Sequence, residues 1–270
     1  MEKVLVDSSL LLACGKEESP VAGVELFTIT YRSQGLKVKA LLALPDGEGP
    51  FPALLYCRGG MKQIGKVKKE RIAQLASFGY AVLAPHYRGN EGGEGRDEFG
   101  GNDRYDVFAA YDLLKEMNVI QHDRISLYGF SRGAIMALLA AIEREGFHSV
   151  VIWSGVVDLE RTFQERTDMR KMLRRVVGHP EKNREAYLQR SPVHRVKDIT
   201  CPVLIIHGTE DLNVGVEHAH QLARELEQHS KPYELWLAQG ASHLFDSEQI
   251  GEYTRAMFEW LEVPNRLLRK

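Results

Sequence analysis

Residues 125–141 read ISLYGFSRGAIMALLAA. An apolar, strand-like run stops at one serine fenced by glycines, then resumes as a helix built from small residues. One reading is a plain βα turn in which Gly129 and Gly133 only permit a tight bend. The other is that the glycines exist for the serine. A serine lifted above a sheet edge takes up strained backbone angles, and the positions two before and two after it are pressed against neighbouring backbone. Only very small residues fit there, and Gly129, Gly133 and the following Ala134 meet that need. G-x-S-x-G between a strand and a helix is the arrangement of an exposed nucleophile, so the rest of the chain has to supply its partners.

A serine hydroxyl attacks poorly until a base takes its proton, and the base must be held in one tautomer by a carboxylate. On this architecture the chain order is serine, acid, histidine. HGTEDLNV (207–214) puts Asp211 just past an apolar strand, and QGASHLF (239–245) puts His243 in the loop after the next strand. Ligands bind at that carboxyl edge of open α/β sheets. Glu210 and Asp158 are rival acids. Among the ten histidines, His207 reads as a hydrogen-bonded packing residue, and His218, His220 and His229 as solvated positions of a helix and its end. A hole for the developing oxyanion needs two donors. The backbone amide of Arg132 is one; the loop after ALLYC, with Gly59 and Gly60, supplies the other, and Gly60 is the preferred position. Arg88 and Arg104 suit either substrate carboxylates or salt bridges that tie down the Gly-rich loop.

The elements around these motifs alternate. VELFTITYRS (24–33) and LKVKALLALP (36–45) flank a Gln-Gly turn and read as an antiparallel hairpin. Strands at 51–57, 80–85, 124–130, 149–155, 201–208 and 232–238 then alternate with helical stretches at 66–79, 103–118, 133–141, 216–229 and 248–262. Hairpin entry followed by repeated βα units implies a mostly parallel sheet with helices on both faces. A polar, helix-prone stretch at about 158–198 interrupts the rhythm as a small flap insertion, with Phe163, Met169, Met172, Leu173 and Val176 expected beneath it. Residues 1–20 read as an N-terminal extension and 21–265 as one domain, a size that 270 residues support.

Composition narrows the function classes. With 35 Lys and Arg against 37 Asp and Glu, spread along the chain, a dedicated nucleic-acid surface is not expected. The basic runs at 66–71 and 170–175 read as solvated helix faces. Three scattered cysteines, Cys14, Cys57 and Cys201, suggest neither a disulfide framework nor a metal site. Cys57 and Cys201 read as core. The LLAC box at 11–14 follows an apolar stretch broken by Asp7, Ser8 and Ser9, too short for a signal core. No run approaches the roughly 18 apolar residues of a membrane span, and a cytoplasmic chain without metal or organic cofactor is expected.

The motifs together resemble the catalytic domain of prolyl oligopeptidase-like serine hydrolases, within the α/β-hydrolase superfamily. YRGNEGGEG (87–95) is similar to that family's YRGS-x-G-x-G loop. GFSRG sits at its nucleophile, and RSPVHRVKDITCPVLIIHGTEDLNV (190–214) is similar to its SP…P-x-L-x-x-HG-x-x-D-x-x-V block. The resemblance runs from about residue 35 to the last helix and implies the roles of Ser131, Asp211 and His243. The family's HGG is here CRGG (57–60), with Arg58 for histidine and Met61 where proline is common, which alters the loop that would carry the second donor. Only about 20 to 35 residues precede the hydrolase core, too few for the family's β-propeller, so a stand-alone hydrolase is expected.

These readings put ester hydrolysis through a Ser131 acyl-enzyme first, because loss of the propeller removes a peptide filter. A serine peptidase acting on small peptides or acylamino substrates is the alternative, and a non-catalytic binding protein a third reading. Thioesterase or carbon–carbon hydrolase chemistry would use the same triad. The expected partner is a small ester or short peptide, and the apolar last helix (Met257, Phe258, Trp260, Leu261) suits either its own core or a homodimer contact.

Overall fold

The computed structural model describes residues 8–263. Residues 1–7 of the expected extension, and 264 and 265 at the expected end of the domain, lie outside them. The chain opens with β1 (Leu11–Glu17), β2 (Val24–Ser33), β3 (Leu36–Pro45) and β4 (Phe51–Cys57). It continues through α1 (Lys69–Ala76), β5 (Ala81–Pro85), α2 (Arg104–Glu116), β6 (Ile120–Phe130), α3 (Gly133–Glu143) and β7 (Ser149–Trp153). The insertion carries α4 (Leu159–Glu165), α5 (Arg170–Val176) and α6 (Arg184–Leu188). After it come β8 (Val203–Gly208), α7 (Glu217–Gln228), β9 (Tyr233–Ala238) and α8 (Ser247–Glu262). All nine strands form one sheet in the order β1-β2-β3-β5-β4-β6-β7-β8-β9. The first three strands and β5 pair antiparallel, and from β5 through β4 to β9 every pairing is parallel. This is the expected α/β-hydrolase architecture.

The expected hairpin is β2–β3, closed by Gln34 (φ 46°) and Gly35 (φ 82°). Two left-handed residues give the turn whose twist matches that of the strands. One strand was not expected: residues read as part of an extension form β1, paired with β2 from Leu11 against Tyr31 to Glu17 against Leu26. Its sequence lacks a buried face, because it is held by the ladder and by surface ties such as Lys16 to Glu25 and Lys69 to Glu17, both at 2.7 Å. The central strands β5, β7 and β8 are buried at every position, as strands covered on both faces require.

Two apolar layers sandwich the sheet. On one face α2, α3 and α7 contribute Val107, Leu114, Met136, Leu138 and Leu222. On the other, α1 and α8 contribute Ile72, Leu75, Met257, Phe258 and Leu261. The last helix therefore spends its apolar face on its own sheet. Burying a side chain such as Phe258 contributes about 1.5–3 kcal/mol, and Phe258 also stacks on Phe78 at 4.4 Å. Cys57 and Cys201 are buried.

A short 3-10 turn at Thr167–Met169 joins α4 to α5, and a second at Pro192–Asp198 leads from α6 towards β8. Phe163 and Leu173 join Phe99, Ile135, Leu139 and Val214 in a third cluster, with Met169, Met172 and Val176 packed at its margin. The basic run at 170–175 is not wholly solvated. Arg170 and Arg174 lie over the Phe163 ring, and Arg170 donates to the Phe163 carbonyl. Among the described residues no helix is long and apolar enough to cross a membrane.

Candidate active site

Ser131 follows β6, Asp211 follows β8 and His243 follows β9, so all three stand at the carboxyl edge of the parallel strands. Ser131 has φ +55°. Its amide donates to the Trp153 carbonyl at 3.0 Å, and its own carbonyl accepts from Ala134 and Val156. The elbow leaves no room for side chains at the flanking positions. A Cβ on Gly129 would lie 2.7 Å from the Gly133 carbonyl oxygen, and one on Gly133 would collide with the Cys57 carbonyl. Gly59 belongs to the same constraint, since its Cβ would stand 2.9 Å from that of Ser131.

The side chains form one hydrogen-bonded chain. His243 Nδ1 lies 2.8 Å from Asp211 Oδ2, and Nε2 lies 3.1 Å from Ser131 Oγ. An ionised carboxylate only accepts, so Nδ1 carries the proton and Nε2 is left to accept from the serine hydroxyl. Asp211 Oδ1 accepts from the amides of Asn213 and Val214, each at 2.8 Å. Burial pushes the Asp211 carboxyl up, but the hydrogen bonds from His243 and from the Val214 and Asn213 amides outweigh it and hold the group below the usual carboxylate range. The Phe130 ring packs 5.0 Å from the imidazole.

The rivals are occupied elsewhere. Glu210 is exposed. Asp158 caps α4, accepting from the amides of Glu160 and Arg161, and takes a further bond from Gln221. His207 Nε2 donates to the Val214 carbonyl at 2.8 Å, the expected packing role. The reading of His218 as solvated is corrected: it is 1 % exposed, on the buried face of α7, with Nδ1 accepting from the Val157 amide. Helix periodicity alone did not reveal which face α7 turns to the sheet. Arg88 pairs with the buried Asp106 at 2.8 Å, and Arg104 donates to the carbonyls of Gly100 and Gly101, so both guanidinia tie down loops.

For an oxyanion, the amides of Arg132 and Gly60 have no backbone acceptor among the described residues, and Gly60 sits at φ +62°. Beneath them lies a buried ionic cluster that the motifs did not announce. Arg132 pairs with Asp97 and Asp103, Arg58 stands near Asp97, and both guanidinia lie over the Tyr87 ring. Two carboxylates share one guanidinium and separate. Asp97 is buried, but the Arg132 charge outweighs that and holds it low; Asp103 is pushed up to about 6, first by burial and further by Asp97 beside it. The sequence carried one signal for the cluster: arginines next to the nucleophile and the glycine pair must find acceptors if buried. Surface depressions of about 240 Å³ beside Trp236 and Tyr253, and of about 570 Å³ beside His122 and Phe147, hold none of these residues. Among the described residues no cluster of His, Cys, Asp and Glu is arranged to hold a metal.

An α/β-hydrolase fold carrying a Ser-His-Asp array at its sheet edge defines the serine hydrolase class. Residues 66–263 match the model of the prolyl oligopeptidase family. The uncharacterized peptidase YtmA of Bacillus subtilis (strain 168) is 45% identical over 246 residues, which cover 90% of this chain and 96% of that one. The chain belongs to the prolyl oligopeptidase family and is a serine hydrolase. Among solved structures, the acylaminoacyl peptidase of Pyrococcus horikoshii superposes with a TM-score of 0.76 at 19% identity, covering 90% of this chain and 42% of that one. The acetyl xylan esterase from Paenibacillus sp. R4 superposes at 0.74 and 17% identity, covering 93% and 89%. These last two share the fold.

Proposed function

We propose that the chain is a serine peptidase acting on short peptides or acylamino substrates, with Ser131 as nucleophile, His243 as base and then acid, and Asp211 as its orienting carboxylate. The observation that carries this reading is the hydrogen-bonded line from Ser131 Oγ through His243 to Asp211, anchored on a serine held at positive φ. Ser131 Oγ adds to the substrate carbonyl as His243 Nε2 takes its proton, and the buried Asp211 carboxylate steadies the imidazolium. The oxyanion accepts from the amides of Arg132 and Gly60. Collapse breaks the C–N bond, His243 returns its proton to the departing amine, and water repeats the sequence on the acyl-enzyme.

The order of preference differs from the one drawn from sequence. Ester hydrolysis came first there; the family match and the 45%-identical relative named as a peptidase support amide hydrolysis instead. Esters, with better leaving groups, are expected as accompanying substrates of the same acyl-enzyme. The test is hydrolysis of aminoacyl- and acylaminoacyl-p-nitroanilides beside p-nitrophenyl esters of graded acyl length, with Ser131→Ala as control. Anilide turnover that Ser131→Ala abolishes is the expected result. Ester turnover alone would restore the esterase reading, and equal rates for both proteins would remove Ser131 as nucleophile.

A further inference from the structure

Gly60 lies between two peptide planes, and each is held by a different guanidinium. Arg58 Nη1 donates to the Gly59 carbonyl at 3.1 Å, and Arg132 Nη1 donates to the Gly60 carbonyl at 2.8 Å. In a trans peptide the C=O and the following N–H point in opposite directions within one rigid plane. Holding the Gly59 oxygen therefore sets the direction of the Gly60 N–H, and holding the Gly60 oxygen stops rotation on the other side. We propose that Arg58 and Arg132 are positioning residues for acyl transfer, aiming the Gly60 amide at the substrate's carbonyl oxygen in concert with Arg132's own amide. This rests on the reading of Ser131 as nucleophile and Gly60 as oxyanion donor.

The loop needs such a device. Gly60 at φ +62° and Gly65 at φ +66° are in the left-handed region, where glycine has the most freedom to lose. The far end of the loop is gathered by the same side chain, since Arg58 Nη1 also reaches the Ile64 carbonyl at 3.2 Å and that of Gly65 at 3.4 Å. The guanidinia are themselves immobilised. Arg132 is 1 % exposed and takes both oxygens of Asp97, at 2.8 and 3.0 Å, together with Asp103. Arg58, also 1 % exposed, donates through Nε to the His86 carbonyl at 3.2 Å, with Asp97 at 3.8 Å from its Nη2. Stability alone does not call for this arrangement, because a buried ion cluster is often matched or exceeded by packed apolar side chains. What the planar fork adds is direction: one guanidinium spans a carboxylate and a carbonyl at fixed angles, which a lysine ammonium does not reproduce.

The test compares wild type with Arg58→Lys and Arg132→Lys, which keep the buried charge and lose the fork. Asp97→Asn serves as a further variant, loosening both arginines without touching the loop. Active sites are counted with a fluorophosphonate, and native circular dichroism is required of each variant. The expected result is a fall in kcat per titrated site of roughly 10- to 100-fold for the lysine variants and less for Asp97→Asn. KM stays within about 2-fold, because the interaction is made in the transition state. A substrate-like boronic acid, whose adduct is tetrahedral, loses affinity by the same factor as kcat/KM, while the product acid inhibits as before. Unchanged kcat per site in folded variants, with only a lower melting temperature, would reduce the arginines to structural parts and overturn the proposal. Failure of the underlying reading looks different, since there wild type and Ser131→Ala would not differ at all.

Discussion

Ser131 occupies a backbone region that costs a non-glycine residue about 1–3 kcal/mol, so its surroundings must over-determine it. They do so through the bond of its amide to β7, the two bonds accepted by its carbonyl, and glycines that let three segments of backbone meet. The same residue type then responds in opposite ways at different positions. Gly129→Ala puts a methyl group 2.7–2.9 Å from the backbone of Gly133 and Ala134 and is expected to destabilise by about 2 kcal/mol or more and to lower activity. Gly251, inside α8 with nothing within 4 Å of where a Cβ would stand, gains from alanine: Gly251→Ala is expected to stabilise by about 0.5–1 kcal/mol with activity unchanged. Urea unfolding of the two variants checks both signs. At this scale the sequence was most legible, since the reason for Gly129 and Gly133 is contained in their own pentapeptide. Asp211 was legible for a similar reason: the donors to its carboxylate, the amides of Asn213 and Val214, lie two and three residues on, the spacing of an Asx turn.

Between elements, the Gly-rich loop after β5 is fastened to α2 by Arg88 and Asp106. Asp106 is fully buried and accepts from both the Arg88 amide at 2.7 Å and its guanidinium at 2.8 Å. Removing one partner leaves a buried charge, so Arg88→Met is expected to cost about 3–5 kcal/mol, and the double variant Arg88→Met/Asp106→Leu less than the sum of the singles. Denaturant titration of the singles and the double measures that coupling; strict additivity would mean the pair does not interact. Element order and type were readable because β5, β7 and β8 are unbroken apolar runs and the helices between them carry one apolar face. β1 was not, because its sequence, LLACGKE, buries neither face, and an edge strand of that kind is specified by the free edge of β2 rather than by its own pattern. The inserted segment's helical character was legible from composition, but its breaks into short helices follow its packing over Phe99 and α3.

Across the whole molecule, burial creates a pH dependence that exposed histidines would not give. Burial lowers His218 from about 6.5 to about 4, with Asp158 working against it and Arg161 adding to it; Glu165 stands 3.7 Å from its Nε2. A histidine depressed in the folded state binds its proton first in the unfolded chain, so its contribution is complete above the unfolded value and is lost as pH falls from about 6.5 towards 4. Replacing it with glutamine keeps an acceptor for the Val157 amide and removes that titration. His218→Gln is therefore expected to lose about 3 kcal/mol less stability than wild type over that window, measured by unfolding at a series of pH values; parallel curves would contradict a neutral buried His218. Asp103, raised to about 6, works with the opposite sign in the same range, which is why the comparison is made between two proteins sharing it. What the sequence by itself determined is whatever a few neighbouring residues dictate: alternating strands and helices, the elbow at Ser131, and the loops that present Asp211 and His243. The tertiary structure alone decided what depends on residues far apart in the chain. Arg132 meets Gly60, Asp97 and Asp103, His218 turns inward, and α8 spends its apolar face at home, because burial and charge pairing act through space and leave no period or spacing in the sequence.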